Sequence, residues 1–159
     1  MGLQWVVRPA LTEDADAVRE TWTRSIREVC LLDHRGDEAV IHKWCANKTA
    51  DNRSEWFREA DALWRVASDE RRGILGVACL HLSGEVRACY VRPDALRERI
   101  GSALLACLEN EARARGLEQL VLHSTETALA FYRGAGYVRE GEPVLHFGVV
   151  RAYPMKKAL

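Results

Sequence analysis

The sequence of 159 residues has no excess of either charge: Lys plus Arg and Asp plus Glu are equal at 23 each. That balance removes the overall electrostatic case for nucleic acid or an anionic membrane as partner. There is no CxxC pair. The five cysteines, Cys30, Cys45, Cys79, Cys89 and Cys107, are scattered and odd in number. This argues against a disulfide framework or a zinc site and suits small buried hydrophobes in a reducing cytoplasm. No signal peptide or bilayer-spanning run is visible, and the start leads straight into a strand-like segment. Repeats and low-complexity tracts are also missing, and the length suits one domain over residues 1–159. Neither Gly-x4-Gly-Lys-Ser/Thr nor Gly-x-Gly-x-x-Gly occurs, so those two nucleotide-binding loops are excluded.

What is present is a strand, a turn and a helix over residues 88–116. Ala88-Cys89-Tyr90-Val91-Arg92-Pro93 reads as an extended run closed by proline. From Ile100 the apolar residues Ala103, Leu104, Cys107, Leu108 and Ala112 recur at helical spacing, with charge opposite and Gly116 as a stop. The first amides of such a helix lack intrahelical partners and sit at the positive end of its dipole, so they can hold a phosphate. The 97–102 segment therefore reads two ways, as a phosphate or pyrophosphate cradle or as an ordinary strand-to-helix turn with a glycine for close packing.

Along the rest of the chain the pattern predicts a strand over 3–8, then an amphipathic helix capped near Thr12 with Ala15, Val18, Trp22, Ile26 and Val29 on one face. Residues 33–37 break it, a short helix follows over 39–45, and 47–53 is polar linker leading to a helical turn over 54–60. Strands are expected over 63–67, 74–82 and 85–91, joined by tight turns. After the central helix come a buried-type strand over 117–123, a helix over 125–134, and strands over 137–141 and 147–157. The order fits a mixed α/β sheet with helices on both faces, and a ligand near the carboxyl end of the 85–91 strand.

Tyr90-Val91-Arg92-Pro93 followed by Leu96-Arg97-Glu98-Arg99-Ile100-Gly101-Ser102-Ala103 resembles the acetyl-coenzyme A motif of the GNAT-superfamily N-acetyltransferases. Ala128-x-x-Phe131-Tyr132-x-x-x-Gly136-Tyr137 resembles the second half of that signature, and the tail Tyr153-Pro154-Met155-Lys156-Lys157 ends similarly. The resemblance implies an acyl-CoA N-acyltransferase fold with a mostly antiparallel sheet of six to seven strands. It implies acetyl-CoA as co-substrate, no metal, and cofactor contacts from Tyr90, Val91, Leu96, Arg97, Glu98, Arg99, Ile100, Gly101, Ser102 and Thr125. One departure stands out. In the family pattern Gln/Arg-x-x-Gly-x-Gly/Ala, Leu96 falls on the Gln/Arg position and Arg99 on the first glycine. A positive φ there would cost a side chain about 1–2 kcal/mol.

Acetyl transfer needs a neutral amine, a polarised carbonyl and a protonated leaving thiolate. The resemblance implies Tyr132 as the acid, against a plain role in aromatic packing beside Phe131. Glu85 is the base candidate, against a solvated glutamate after a Ser-Gly turn. Strict alternation would put Glu85, Arg87, Cys89 and Val91 on one side of their strand. His81, His123 and His146 are further bases. Thr125 either touches the pantetheine arm or caps the following helix. For the acceptor, residues 30–57 form one wall and 144–149 the other. Asp33, Asp37 and Glu38 could draw in a cationic amine, with Trp44 and Trp56 packing on it. The reading is a cytoplasmic acetyltransferase acting on a primary amine of a small molecule or peptide, with no nucleic acid or membrane partner and a homodimer left open. The alternative is a non-catalytic acyl-CoA-binding regulatory module of the same fold. Thiol catalysis through Cys89 lacks a histidine placed beside it.

Overall fold

A computed structural model describes residues 4–49 and 55–159. The expected strand start at Leu3, residues 50–53 of the linker and Ser54 lie outside the described residues. Strand β1 (Trp5–Pro9) leads through a 3-10 turn (Thr12–Asp14) into α1 (Ala15–Val29). Thr12 is not the cap. Asp14 instead accepts the Leu11 amide at 2.7 Å and is clamped by Arg8 at 2.7 and 3.0 Å. A one-turn α2 (Leu31–His34) follows, and Arg35 and Gly36 then take left-handed conformations. Helix α3 (Glu38–Cys45) is capped by Asp37, which accepts the Ala39 amide at 2.9 Å.

Strands β2 (Ala62–Asp69), β3 (Gly73–His81) and β4 (Glu85–Val91) form an antiparallel meander with β1. Helix α4 (Ile100–Ala114) then crosses over to β5 (Gln119–Ser124), which runs parallel to β4. After α5 (Leu129–Gly134) come β6 (Val138–Arg139), β7 (Val144–His146) and β8 (Val150–Ala158). The eight-stranded sheet runs β1-β2-β3-β4-β5-β8-β6, with β7 also on β8. The sequence pattern misses β7 because its hairpin turns on Phe147 and Gly148, both left-handed at φ 54° and 71°. A phenylalanine there is an uncommon turn residue.

Each face of the sheet carries its own core. Leu75, Ala78 and Leu80 of β3 pack against Ile100, Leu104, Leu105 and Leu108 of α4, and Val66, Ile74 and Val77 pack against Val18 of α1. Gly76 sets the spacing of the first, since a Cβ there would stand 2.9 Å from both Ile100 Cγ2 and Leu104 Cδ1. Among the described residues no helix is long and apolar enough to cross a membrane.

Two irregularities create the site. Strands β4 and β5 are in register only at Glu85–Val121 and Val86–Leu122. Beyond those pairs they part, and their facing edges are left without partners in the sheet. In β4, Ala88 lies opposite Cys79 and Val86 opposite Leu80, so Arg87 is an extra residue, a bulge.

Candidate active site

The gap between β4 and β5 opens into a cavity of about 440 Å³, bounded by both strands, the start of α4, and α5. Tyr90, Val91, Leu96, Arg97, Arg99, Ile100, Gly101, Ser102, Thr125 and Tyr132 all line it. Glu98 does not. Its carboxylate makes two 2.8 Å hydrogen bonds with Arg72, and that cation holds it below the usual carboxylate range. The pairing also removes a negative charge from the rim of the cavity.

The loop before α4 leaves a run of backbone amides free. Among the described residues no hydrogen bond uses the amides of residues 97–102, and the first α4 amide to find a backbone acceptor is that of Ala103, bonded to the Arg99 carbonyl at 3.1 Å. Arg97 and Arg99 both have left-handed backbones, at φ 67° and 64°. Successive amides turned this way form a concavity that takes negative oxygens, here reinforced by the positive end of a helix of 15 residues. Both side chains are exposed arginines at its mouth. Gly101 is not demanded by the fold, because a Cβ there would only touch Phe131 at 3.4 Å and Val91 at 3.6 Å.

Tyr132 is buried at the inner end, edge-on to Phe131 and Tyr137 with ring centroids 5.1 and 5.7 Å away. Burial drives its hydroxyl well above the ordinary tyrosine range, so it stays a proton donor at any physiological pH. Cys89 also faces this cavity, but burial pushes its thiol up to about 12 and leaves no thiolate to act as nucleophile. The Thr125 hydroxyl accepts the Ala128 amide at 3.1 Å, the capping role, while its residue still walls the cavity. Helix α5 begins four residues later than the pattern predicts because 125–128 form a separate turn. Asp33 secures that turn, accepting from the amides of Glu126 and Thr127 at 2.7 and 3.2 Å and from the Thr127 hydroxyl at 2.6 Å.

A second cavity, of about 150 Å³, adjoins the first. The two share Val86, Arg87, Tyr90, His123 and Thr125 as walls. Its remaining lining includes Trp22, Trp44 and Lys48 on one side and Glu85, His146 and Phe147 on the other. Glu85 is here because of the bulge. The extra residue returns Val86 to the α4 side with Cys89, so Glu85 lies on the opposite face with Ala88 and Tyr90. The expectation that Glu85 shares a face with Cys89 and Val91 is therefore wrong. Its carboxylate pairs with Arg87 at 3.2 Å, and Arg87 also binds Glu59. The rings of His123 and His146 meet at 5.0 Å between centroids, tilted by 56°. Burial, then His123, lowers the His146 pKa, so that ring is uncharged at neutral pH.

Other expected acceptor groups lie elsewhere. Asp37 caps α3, Glu38 pairs with Arg27 at 2.6 Å, and Asp33 is spent on the 125–128 turn. Trp56 stacks on Trp64 at 6.0 Å and belongs to the core under α1. His81 bonds Ser83 at 2.7 Å, away from both cavities. Among the described residues no group of three or more His, Cys, Asp or Glu is placed to hold a metal ion.

Comparison with known proteins bears on the fold and the family. Residues 26–159 match the model of the acetyltransferase (GNAT) domain. The chain belongs to the GNAT acetyltransferase family. A GCN5-related N-acetyltransferase of Rhodopseudomonas palustris superposes with a TM-score of 0.87 at 25% identity, covering 99% of this chain and 97% of that one. The PaiA N-acetyltransferase of Thermoplasma acidophilum, solved in complex with coenzyme A, gives 0.79 at 18% identity over 99% and 100%. An IAA acetyltransferase of Azospirillum brasilense is 41% identical over 61 residues, 36% of this chain. That match spans 40% of the length of the curated relative.

Within this GNAT frame the sequence pattern locates the first cavity almost residue by residue, and of the second it names Trp44, Glu85, His123 and His146 but neither Trp22 nor Lys48. Trp22 reads as one more apolar position of α1. Lys48 sits in polar linker, and nothing in the linear pattern marks it as buried.

Proposed function

We propose that this protein transfers an acetyl group from acetyl-CoA to the primary amine of a small acceptor, by direct attack with both substrates bound. The observation that carries the reading is the junction of the two cavities, with a buried phenol on one side and the adjoining His123 and His146 rings on the other. The six free amides of residues 97–102 would hold the pyrophosphate, flanked by Arg97 and Arg99. The open edge of β4 up to Val91 would align the pantetheine arm and present an amide to the carbonyl. Acetyl-CoA brings the acyl group as an activated thioester.

In the second cavity His123 is the base candidate that walls both spaces, with Glu85 and His146 beside it. His123 would take the proton of the attacking amine and pass it toward Glu85 or solvent. As the C–N bond forms and the C–S bond breaks, Tyr132 would give its proton to the departing sulfur. Five thiols, none in a disulfide, suit a reducing cytoplasm.

The test is release of coenzyme A thiol from acetyl-CoA across a panel of small amines. Amine-dependent release, with the acetylamide as product, is expected. Binding of acetyl-CoA without amine-dependent release would point to the non-catalytic module instead. For Glu85→Gln and His123→Ala, a base role predicts a loss near neutral pH that recovers in part at higher pH, as the amine deprotonates unaided. A loss that is flat with pH would remove either residue from proton transfer.

A further inference from the structure

The second cavity contains a charge that no carboxylate of the described residues answers. Lys48 is only 5% exposed, and its ammonium donates to the Trp44 carbonyl at 3.0 Å and to Asn47 Oδ1 at 2.9 Å. An ammonium has three protons to place. The third has no acceptor among the described residues, and no carboxylate there lies within ion-pair distance. Aromatic faces take the rest of its surroundings, with Nζ 4.7 Å from the Trp22 ring centre and 5.2 Å from that of Phe147. Burying a cation with only neutral partners is costly, and burial lowers its pKa to about 8. A fold that carries such a cost at the wall of a substrate cavity gains from it when a ligand supplies the missing anion.

The rest of the cavity is consistent with that polarity. Among the described residues Glu85 is the one carboxylate lining it, and it is already paired with Arg87. His123 stands at the wall shared with the first cavity, whereas Lys48 lines the second cavity but not the first and has no carboxylate partner among the described residues. Trp22 Nε1–H adds a second unmet donor in the same wall. It lies near enough to the Tyr90 hydroxyl to favour that group's ionised form slightly, yet no acceptor meets it at hydrogen-bond geometry. The volume of about 150 Å³ suits one small molecule.

We propose that the acceptor is a small amino acid, its amine at the cavity junction beside His123 and its carboxylate received by Lys48. This rests on the acetyl transfer reading above, and it narrows the acceptor from amines in general to amines that also carry an acid group.

The experiment compares leucine with 3-methylbutylamine, and phenylalanine with 2-phenylethylamine, each pair differing only by the carboxylate. In the wild type, kcat/KM for the acid-bearing member should exceed its partner by tenfold or more, through KM. In Lys48→Met that ratio should fall toward one, and in Lys48→Arg it should be retained in large part. Calorimetric titration with isovalerate, a carboxylate without an amine, gives a readout independent of turnover. It should bind the wild type at least tenfold more tightly than Lys48→Met, with circular dichroism confirming that the variant is folded. Equal kcat/KM within the pairs, or equal isovalerate affinity in the wild type and Lys48→Met, would overturn the proposal. Failure of acetyl-CoA to bind would instead overturn the transferase reading, and the isovalerate titration would still judge Lys48.

Discussion

Replacing Arg99 by glycine separates the backbone of the phosphate loop from its charge, and the two parts move in opposite directions. Arg99 has φ 64° and ψ 20° immediately before α4, where this family's motif carries glycine. A side chain in that conformation costs about 1–2 kcal/mol relative to glycine. Glycine also gives the unfolded chain more freedom, which returns about 0.4–1 kcal/mol of that gain. The net expectation is a stabilisation of about 1 kcal/mol, or roughly 2–4 °C in melting temperature for a domain of this size. The guanidinium is exposed and forms no ion pair with any described residue, so its removal costs the fold little. Bound pyrophosphate would lose one charge-assisted contact, which at an exposed site is about 1.4 kcal/mol, or tenfold in coenzyme A affinity. Differential scanning calorimetry of the ligand-free protein and titration with coenzyme A read the two effects separately. A lower melting temperature would mean that the arginine side chain supports the loop. Unchanged affinity would mean that it never reaches the phosphates.

Other perturbations follow from single contacts. Tyr132→Phe should reduce kcat by about 10²–10⁴-fold at saturating acetyl-CoA if the phenol is the acid, with little change in cofactor affinity; wild-type turnover would remove it from the chemistry. Gly76→Val should destabilise the fold by about 1–3 kcal/mol, because its added atoms meet Ile100 and Leu104; an unchanged melting temperature would show that α4 can shift without cost. The lowered pKa of Lys48 also makes a pH prediction. Between about 8, its folded value, and about 10.5, its unfolded value, the unfolded chain binds more protons, so stability owed to this residue rises with pH. Lys48→Met should therefore melt higher than the wild type at pH 7.5, with the gap narrowing by pH 10. A gap constant with pH would place the ammonium in a more polar setting than the structure shows.

Legibility in the sequence followed the range of the interactions. The helical spacing of Leu104, Leu108 and Ala112 and the run from Tyr90 to Pro93 are local, and both elements form where the pattern puts them. The departure at Arg99 was visible too, since the motif position alone implies a positive φ. The matching strain at Arg97 was not, because its position carries no glycine preference to violate. Parity along β4 failed at Arg87, where a bulge depends on register with β3 and leaves no mark in the strand's own sequence. Asp33 read as an exposed acid in a loop, but its partners are 93 and 94 residues away. Lys48 is the extreme case. A lysine in a polar stretch is solvated unless the fold brings two tryptophans and a hairpin over it.

The measurement closest to the central claim is a calorimetric titration of the purified protein with acetyl-CoA. The free amides of residues 97–102 and the cavity between β4 and β5 predict saturable binding of one cofactor per chain at micromolar concentration, weakened by salt as a pyrophosphate contact should be. No heat of binding, or binding insensitive to salt and equally strong for a short acyl thioester lacking the nucleotide, would contradict it.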